Sequence, residues 1–223
     1  MMKNKISVSM MCSNLIDLQS TINIFEKAKI EYLHIDVMDG EFVPNFGLGV
    51  DYIRGLRELT TIPLDLHLMI KNPEYKLQWV GIQETDIVSI HYESTYQVQR
   101  ALDWLKVYGC QCFLAINPAT PIYVLEEVLD YIDGINLLMV NPGFAGQKIV
   151  PSTLNKAKKL HSFLRMHGKE GLLLEVDGNI TPEHGTELRK SGASIFVGGT
   201  SSIFRGDVDN IESNIEKFRE AIQ

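Results

Sequence analysis

Short apolar runs of strand length recur along the chain, each followed by a stretch in which apolar residues return every third or fourth position. The runs are ISVSMM (6–11), YLHIDV (32–37), LDLHLM (64–69), DIVSIH (86–91), QCFLAI (111–116), INLLMV (135–140), LLLEV (172–176) and SIFVG (194–198). Leu15, Leu18, Ile22 and Phe25 after the first run, and Ile211, Ile215, Phe218 and Ile222 at the end, have the spacing of one helix face. Thr181 before Pro182 predicts another helix, a capping hydroxyl followed by proline at the first helical position. Eight such units fill the 223 residues at roughly 28 residues each, and largely apolar strands suit a parallel sheet covered by helices. The prediction is one α/β domain over residues 1–223, a closed (β/α)8 TIM barrel. The competing architecture, a doubly wound open sheet, is disfavoured because no GxGxxG follows the first run.

Composition narrows the partners. An apolar content of 45% with 22% charge supports one large core and no disordered tail. A net charge of −7 argues against nucleic-acid and anionic-membrane partners, which are bound by clustered Lys and Arg. A small phosphorylated ligand stays allowed, because a few backbone N–H groups hold one without global positive charge. The opening MMKNKISVSMMCSNL fails as a signal peptide, its apolar stretch being short and broken by Ser7 and Ser9, and no run reaches membrane-spanning length. Cys12, Cys110 and Cys112 have no zinc-finger spacing, which predicts free thiols in a reducing, cytoplasmic setting.

In a barrel the chemistry belongs at the carboxyl ends of the strands. Ser9, His34 with Asp36, His67, His91, Asn117, Asn141 and Asp177 all fall there, and Gly199 with Thr200 follows the eighth strand. His161, His167 and His184 fall in helices or helix ends and read as surface. Of the three Asp-Gly pairs, Asp133 precedes its strand and belongs to the structural face, and Asp39 before Gly40 reads as a turn former. His34 and Asp36, two apart in a strand, share a face while Ile35 points toward the helices. With His67 and Asp177 they make two imidazoles and two carboxylates, a set suited to one divalent cation, zinc first, with Mn, Fe, Co or Mg as alternatives. Each residue alone could be a hydrogen-bonded buried polar group. Four together favour a cation, because burying two uncompensated carboxylates is costly. The loops NPGFAGQ (141–147) and VGGTSSIF (197–204), the second with a short helix expected near Thr200, fit a phosphate cradle after the late strands.

HIDVMDGEFVPN, LDLHLM, NPGFAGQ, EVDGNI and GGTSSIF, in this order and spacing, resemble the ribulose-phosphate 3-epimerase family over essentially the whole chain. The resemblance implies that His34, Asp36, His67 and Asp177 bind the metal and that Asp36 and Asp177 are the two acid/base groups. It also implies that Ser9 and His67 contact substrate, and that Gly143, Phe144, Ala145, Gly146, Gly178, Asn179, Gly199 and Thr200 surround the phosphorylated end of the sugar. The implied reaction inverts C3 of D-ribulose 5-phosphate or D-allulose 6-phosphate through a metal-stabilised enediolate, with a phosphorylated ketose as partner and a homo-oligomer as the assembly. Inversion next to a ketone needs a proton removed from one face and another delivered to the opposite face, hence two carboxylates. Cys12, Ala145 and the Gly199–Thr200–Ser201 segment look closer to the allulose-6-phosphate branch, and Asn179 and Tyr92 depart from the commonest ribulose-phosphate form. A sugar-phosphate binding barrel without turnover is the alternative from another class. Decarboxylation would call for a lysine near the mouth, and the strand ends supply none. Met38, Met69 and Met11 or Met139 are expected near the reacting carbons, and His91 with Glu93 behind His67.

Overall fold

Eight parallel strands hydrogen-bond in chain order and close on themselves in the computed structural model, which describes residues 3–207 and 210–223. They are β1 (Lys5–Ser9), β2 (Tyr32–Met38), β3 (Leu64–Met69), β4 (Ile87–His91), β5 (Gln111–Ile116), β6 (Gly134–Leu138), β7 (Leu173–Asp177) and β8 (Ile195–Gly198). Closure is made by β1 against β8, with Lys5 opposite Ile195 and Val8 opposite Gly198. The connecting helices are α1 (Leu18–Lys27), α2 (Val50–Leu59), α3 (Leu77–Val80), α4 (Val98–Lys106), α5 (Ser152–Met166), α6 (Pro182–Arg189) and α7 (Ile211–Ile222). The (β/α)8 barrel expected from the periodicity is thus present.

Alternation along each strand divides the core. Outward residues such as Ile35, Leu66, Leu114 and Val176 pack in one large cluster with helix residues including Ile22, Phe25, Leu102 and Leu160. Inward residues form a small apolar plug of Tyr32, Ile87, Phe113 and Ile195. Further along the strands the interior turns polar, with Ser7, His34, Asp65, Ser89, Asn136 and Glu175 fully buried. Strands that read as apolar runs therefore carry an apolar outer face and a polar inner one.

Several elements differ from the sequence expectation. Leu15 lies before α1 and is 49% exposed, because the helix begins only after Asp17, whose carboxylate accepts the Ser20 N–H. Between β5 and β6 the chain forms 3-10 turns over Ile122–Tyr131 instead of an α-helix. Its buried residues are Leu125, Val128 and Leu129. The helix expected near Thr200 is a turn in which the N–H groups of Ser202, Ile203 and Phe204 converge on the Gly199 carbonyl, at 3.2, 3.0 and 3.1 Å. Gly206, at φ +78°, turns the backbone out of helical conformation soon after. The helix at Pro182 is present, and His184 is more than surface there. Its N–H donates to Thr181 Oγ1 while its Nδ1 accepts the Thr181 N–H, which closes the cap.

Asp133 sits on the structural face as expected, its carboxylate accepting the Cys112 N–H at 2.8 Å to tie β5 to β6. The three cysteines are unpaired. Among the described residues, no helix is long and apolar enough to cross a membrane.

Candidate active site and metal centre

The period of two along β2 places His34 and Asp36 on the inner face, and pairing with β3 sets Asp36 opposite His67. Barrel closure brings Asp177, at the end of β7, to the same point. Asp36 Oδ1 lies 3.3 Å from His34 Nε2 and 3.2 Å from His67 Nδ1. Asp177 Oδ2 lies 3.6 and 3.3 Å from those same nitrogens. One ligand atom from each of the four residues lies within 4.8 Å of every other. His34 Nε2 is buried without a hydrogen-bond partner of good geometry. An unpartnered imidazole nitrogen facing two carboxylates fits a divalent cation, since neutral imidazole and carboxylate oxygen are its ligands.

Each imidazole is held from behind. Asp65 Oδ2 sits 2.6 Å from His34 Nδ1 and accepts the Ser7 hydroxyl at 2.7 Å. Glu175 Oε1 is 3.4 Å from the same nitrogen. His67 Nε2 is 2.8 Å from His91 Nε2, and His91 Nδ1 is 3.3 Å from Glu93 Oε2. Asp65, His91 and Glu175 have no exposed surface. Asp65 and Glu175 were not singled out from the sequence, yet the signal was available. Each stands two residues before a proposed ligand, His67 or Asp177, and so faces inward by the alternation that paired His34 with Asp36.

Electrostatics follow from this packing. Burial works against charge on both imidazoles, but Asp65, Asp36 and Asp177 hold His34 well above its usual value, and bonds to Asp177 and Asp36 push His67 up to about 9. Burial raises the carboxyls of Asp36 and Asp177, yet the neighbouring imidazoles outweigh it and hold both below the ordinary carboxylate range. Burial and the Asp65 charge push Glu175 well above that range. Burial lowers His91 to about 4 and leaves it neutral.

Asp36, His67 and Asp177 reach one cleft at this end of the barrel, with His34 buried beside them. Ser9, Gly143, Phe144, Ala145, Gly146, Gly178, Asn179, Gly199 and Thr200 all line this cleft. Met11, Met38 and Met69 do too, whereas Met139 packs in the outer core. Asn117 and His91 do not line it. Asn117 gives its N–H to Glu93, and His91 lies behind His67. Cys12, Leu138, Val140, Asn141, Pro142, Gln147 and Val197 complete the wall, and among the described residues no Lys or Arg belongs to it. Lys156, reaching the end of β5 from α5, is committed to the carbonyls of Asn117 and Pro118. An anion in this cleft would therefore be held by backbone N–H groups and hydroxyls.

Gly178 shows how closely the loops are fitted. Its φ is +113°, and a Cβ there would lie 2.7 Å from Val140 Cγ2 and 3.0 Å from the Val140 N. Asn179 beside it, at φ 55°, accepts the Ser201 hydroxyl and joins the loop after β7 to the turn after β8. The Gly199 N–H is taken by Ser202 Oγ, which leaves that glycine to shape the wall beside Cys12 Sγ.

Fold and site together define an α/β-barrel enzyme with an imidazole and carboxylate cluster at the carboxyl ends of its strands. Residues 5–204 match the ribulose-phosphate 3-epimerase family, and the chain belongs to it; it is an isomerase of the carbohydrate-phosphate epimerase kind. It is 36% identical over 203 residues to a ribulose-phosphate 3-epimerase of Bacillus subtilis, covering 91% of this chain and 94% of that one. It is 31% identical to that of Methanocaldococcus jannaschii over 97% of this chain and 90% of the other. Among solved structures, a 3-hexulose-6-phosphate synthase from Salmonella typhimurium superposes with a TM-score of 0.72 over 98% of both chains at 11% identity, a likeness of fold.

Proposed function

We propose that the protein inverts C3 of a phosphorylated ketose, with His34, Asp36, His67 and Asp177 holding one divalent cation and Asp36 and Asp177 serving as the acid/base pair. The observation that carries this reading is the meeting of two carboxylates and two imidazoles at one point on the cleft floor. Zinc is the first choice on donor chemistry, followed by Mn, Fe, Co and Mg. When bound, the ion supplies a Lewis acid that offsets negative charge developing on the substrate oxygens.

This chain's residues do the rest. One aspartate takes the C3 proton as a base, and the other, as an acid, delivers a proton to the opposite face of the planar enediolate. Either aspartate can enter as the ionised base when the other enters protonated, and the two exchange these roles with each turnover, so the reaction can run in both directions. Met11, Met38 and Met69 give the reacting carbons an apolar wall that excludes water. The loops around Gly143–Gly146, Gly178–Asn179 and Gly199–Thr200 receive the phosphate.

For the sugar, we favour D-allulose 6-phosphate over D-ribulose 5-phosphate. What supports this choice is the resemblance of Cys12, which bonds Ser9, and of the Gly199–Thr200–Ser201 segment, whose Ser201 bonds Asn179, to the allulose-6-phosphate branch. The curated relatives carry ribulose-phosphate in their names, so the two sugars are compared directly. The test is exchange of the C3 hydrogen with deuterated water, followed by NMR with Zn2+, Mn2+, Fe2+, Co2+ or Mg2+ supplied. Exchange is expected with at least one ketose, and allulose 6-phosphate should turn over faster. Asp36→Asn and Asp177→Asn should each slow exchange by about 10²–10⁴-fold with the fold intact. Absence of exchange with both sugars and every ion would overturn the epimerase reading.

A further inference from the structure

The two imidazoles of the cluster present different nitrogens to it, Nε2 from His34 and Nδ1 from His67. A cation binds imidazole only in its neutral form, displacing the second proton that the flanking carboxylates otherwise favour; neutral imidazole has one N–H and one lone pair, so the partner behind each ring decides which nitrogen is free to bind. For His34 the partner is a carboxylate. Asp65 accepts from Nδ1 and leaves the lone pair on Nε2. For His67 the partner is another imidazole, His91, which can accept or donate and settles nothing by itself.

The decision passes to the next residue along. Glu93 Oε1 already accepts the Asn117 N–H at 2.9 Å and the Thr120 hydroxyl. Its Oε2 faces His91 Nδ1. A carboxylate has only lone pairs to offer, so His91 must carry its proton on Nδ1, and its Nε2 is left as an acceptor. His67 must then donate from Nε2, and its lone pair falls on Nδ1, between Asp36 and Asp177.

We propose that Glu93 is a positioning residue which, through His91, fixes the proton of His67 on Nε2 and thereby opens Nδ1 to the cation. The inference rests on the metal-site reading above and adds a residue beyond direct contact with the ion. The chain of bonds makes Glu93→Gln a sharp test. The Asn117 N–H belongs to the backbone and continues to require an acceptor, so the amide oxygen takes the Oε1 position and the NH2 group faces His91. His91 must then accept at Nδ1 and donate from Nε2, which forces the His67 proton onto Nδ1, where the cation binds.

Two measurements decide it. In the zinc-loaded wild-type protein, 15N chemical shifts should show His91 protonated on Nδ1 and His67 on Nε2. Zn2+ affinity, measured against a competing chelator, should fall by about 10–100-fold in Glu93→Gln, while its apo-protein melts with the wild type. A His91 proton found on Nε2, or unchanged zinc affinity in Glu93→Gln, overturns the relay and leaves the metal site standing. Failure of the wild-type chain to bind zinc overturns both.

Discussion

Asp39 shows how one residue was read in part. The Asp-Gly pair announces a turn, and Gly40 adopts φ +73°. The structure adds four donors to the carboxylate: the N–H groups of Glu41, Phe42 and Lys71, and Lys76 Nζ. Burial raises its carboxyl, but these donors outweigh that and hold it below the ordinary value of 3.8. Because the folded state binds this proton less readily than the unfolded state, the stabilisation is complete above the ordinary value and fades as pH falls toward the folded one. Asp39→Asn should therefore cost about 1–2 kcal/mol at pH 7, allowing for solvent screening, and progressively less in acid. Denaturant titrations at pH 7 and pH 3 check this, and a deficit that grew in acid would contradict it. At Gly178, alanine meets both a positive φ and the Val140 backbone, so Gly178→Ala should reduce C3 exchange by displacing Asp177 and Asn179. No pattern in the sequence announces that contact, because Val140 and Gly178 become neighbours only where β6 lies beside β7.

At the scale of elements, the strands were legible because their apolar and polar positions repeat locally. Their ends were less so: Met139 and Val140 belong to the expected sixth strand but lie past Leu138, where β6 ends. Apolarity there serves burial, which strand and loop residues share. Ion pairs between elements were not legible at all. Asp86, fully buried before β4, bonds the Arg57 guanidinium of α2 at 2.6 Å and accepts the Leu64 and Gln83 N–H groups. It holds the start of β3 against α2. Asp86→Ala strands these donors and the partly buried cation, and should destabilise the protein by about 3–5 kcal/mol. Equilibrium unfolding in urea measures the loss, and a change below about 1 kcal/mol would show the pair to be dispensable.

For the whole molecule, folding gathers the four proposed ligands from β2, β3 and β7, far apart in the unfolded chain, so the cation binding proposed above would be linked to folding. Free Zn2+ at 100 times its Kd should stabilise the native state by about 2.7 kcal/mol, a rise in Tm of roughly 5–10 °C for a chain of this size. Thermal scans with zinc and with excess chelator measure it. The rise should vanish in His34→Ala. The same chelator should abolish C3 exchange, and added divalent metal should restore it.

The amino-acid sequence alone determined the eight-fold alternation, hence the closed barrel, and it marked which polar side chains stand at the carboxyl ends of strands. Those are local properties, fixed by the direction in which successive Cβ atoms point. Tertiary structure alone decided that four of these side chains meet within 4.8 Å, that Asp65 Oδ2 comes to 2.6 Å from His34 Nδ1, and that Asn117 is left out of the cleft. Distances across a barrel are set when it closes and its interior packs, and chain periodicity carries no measure of them.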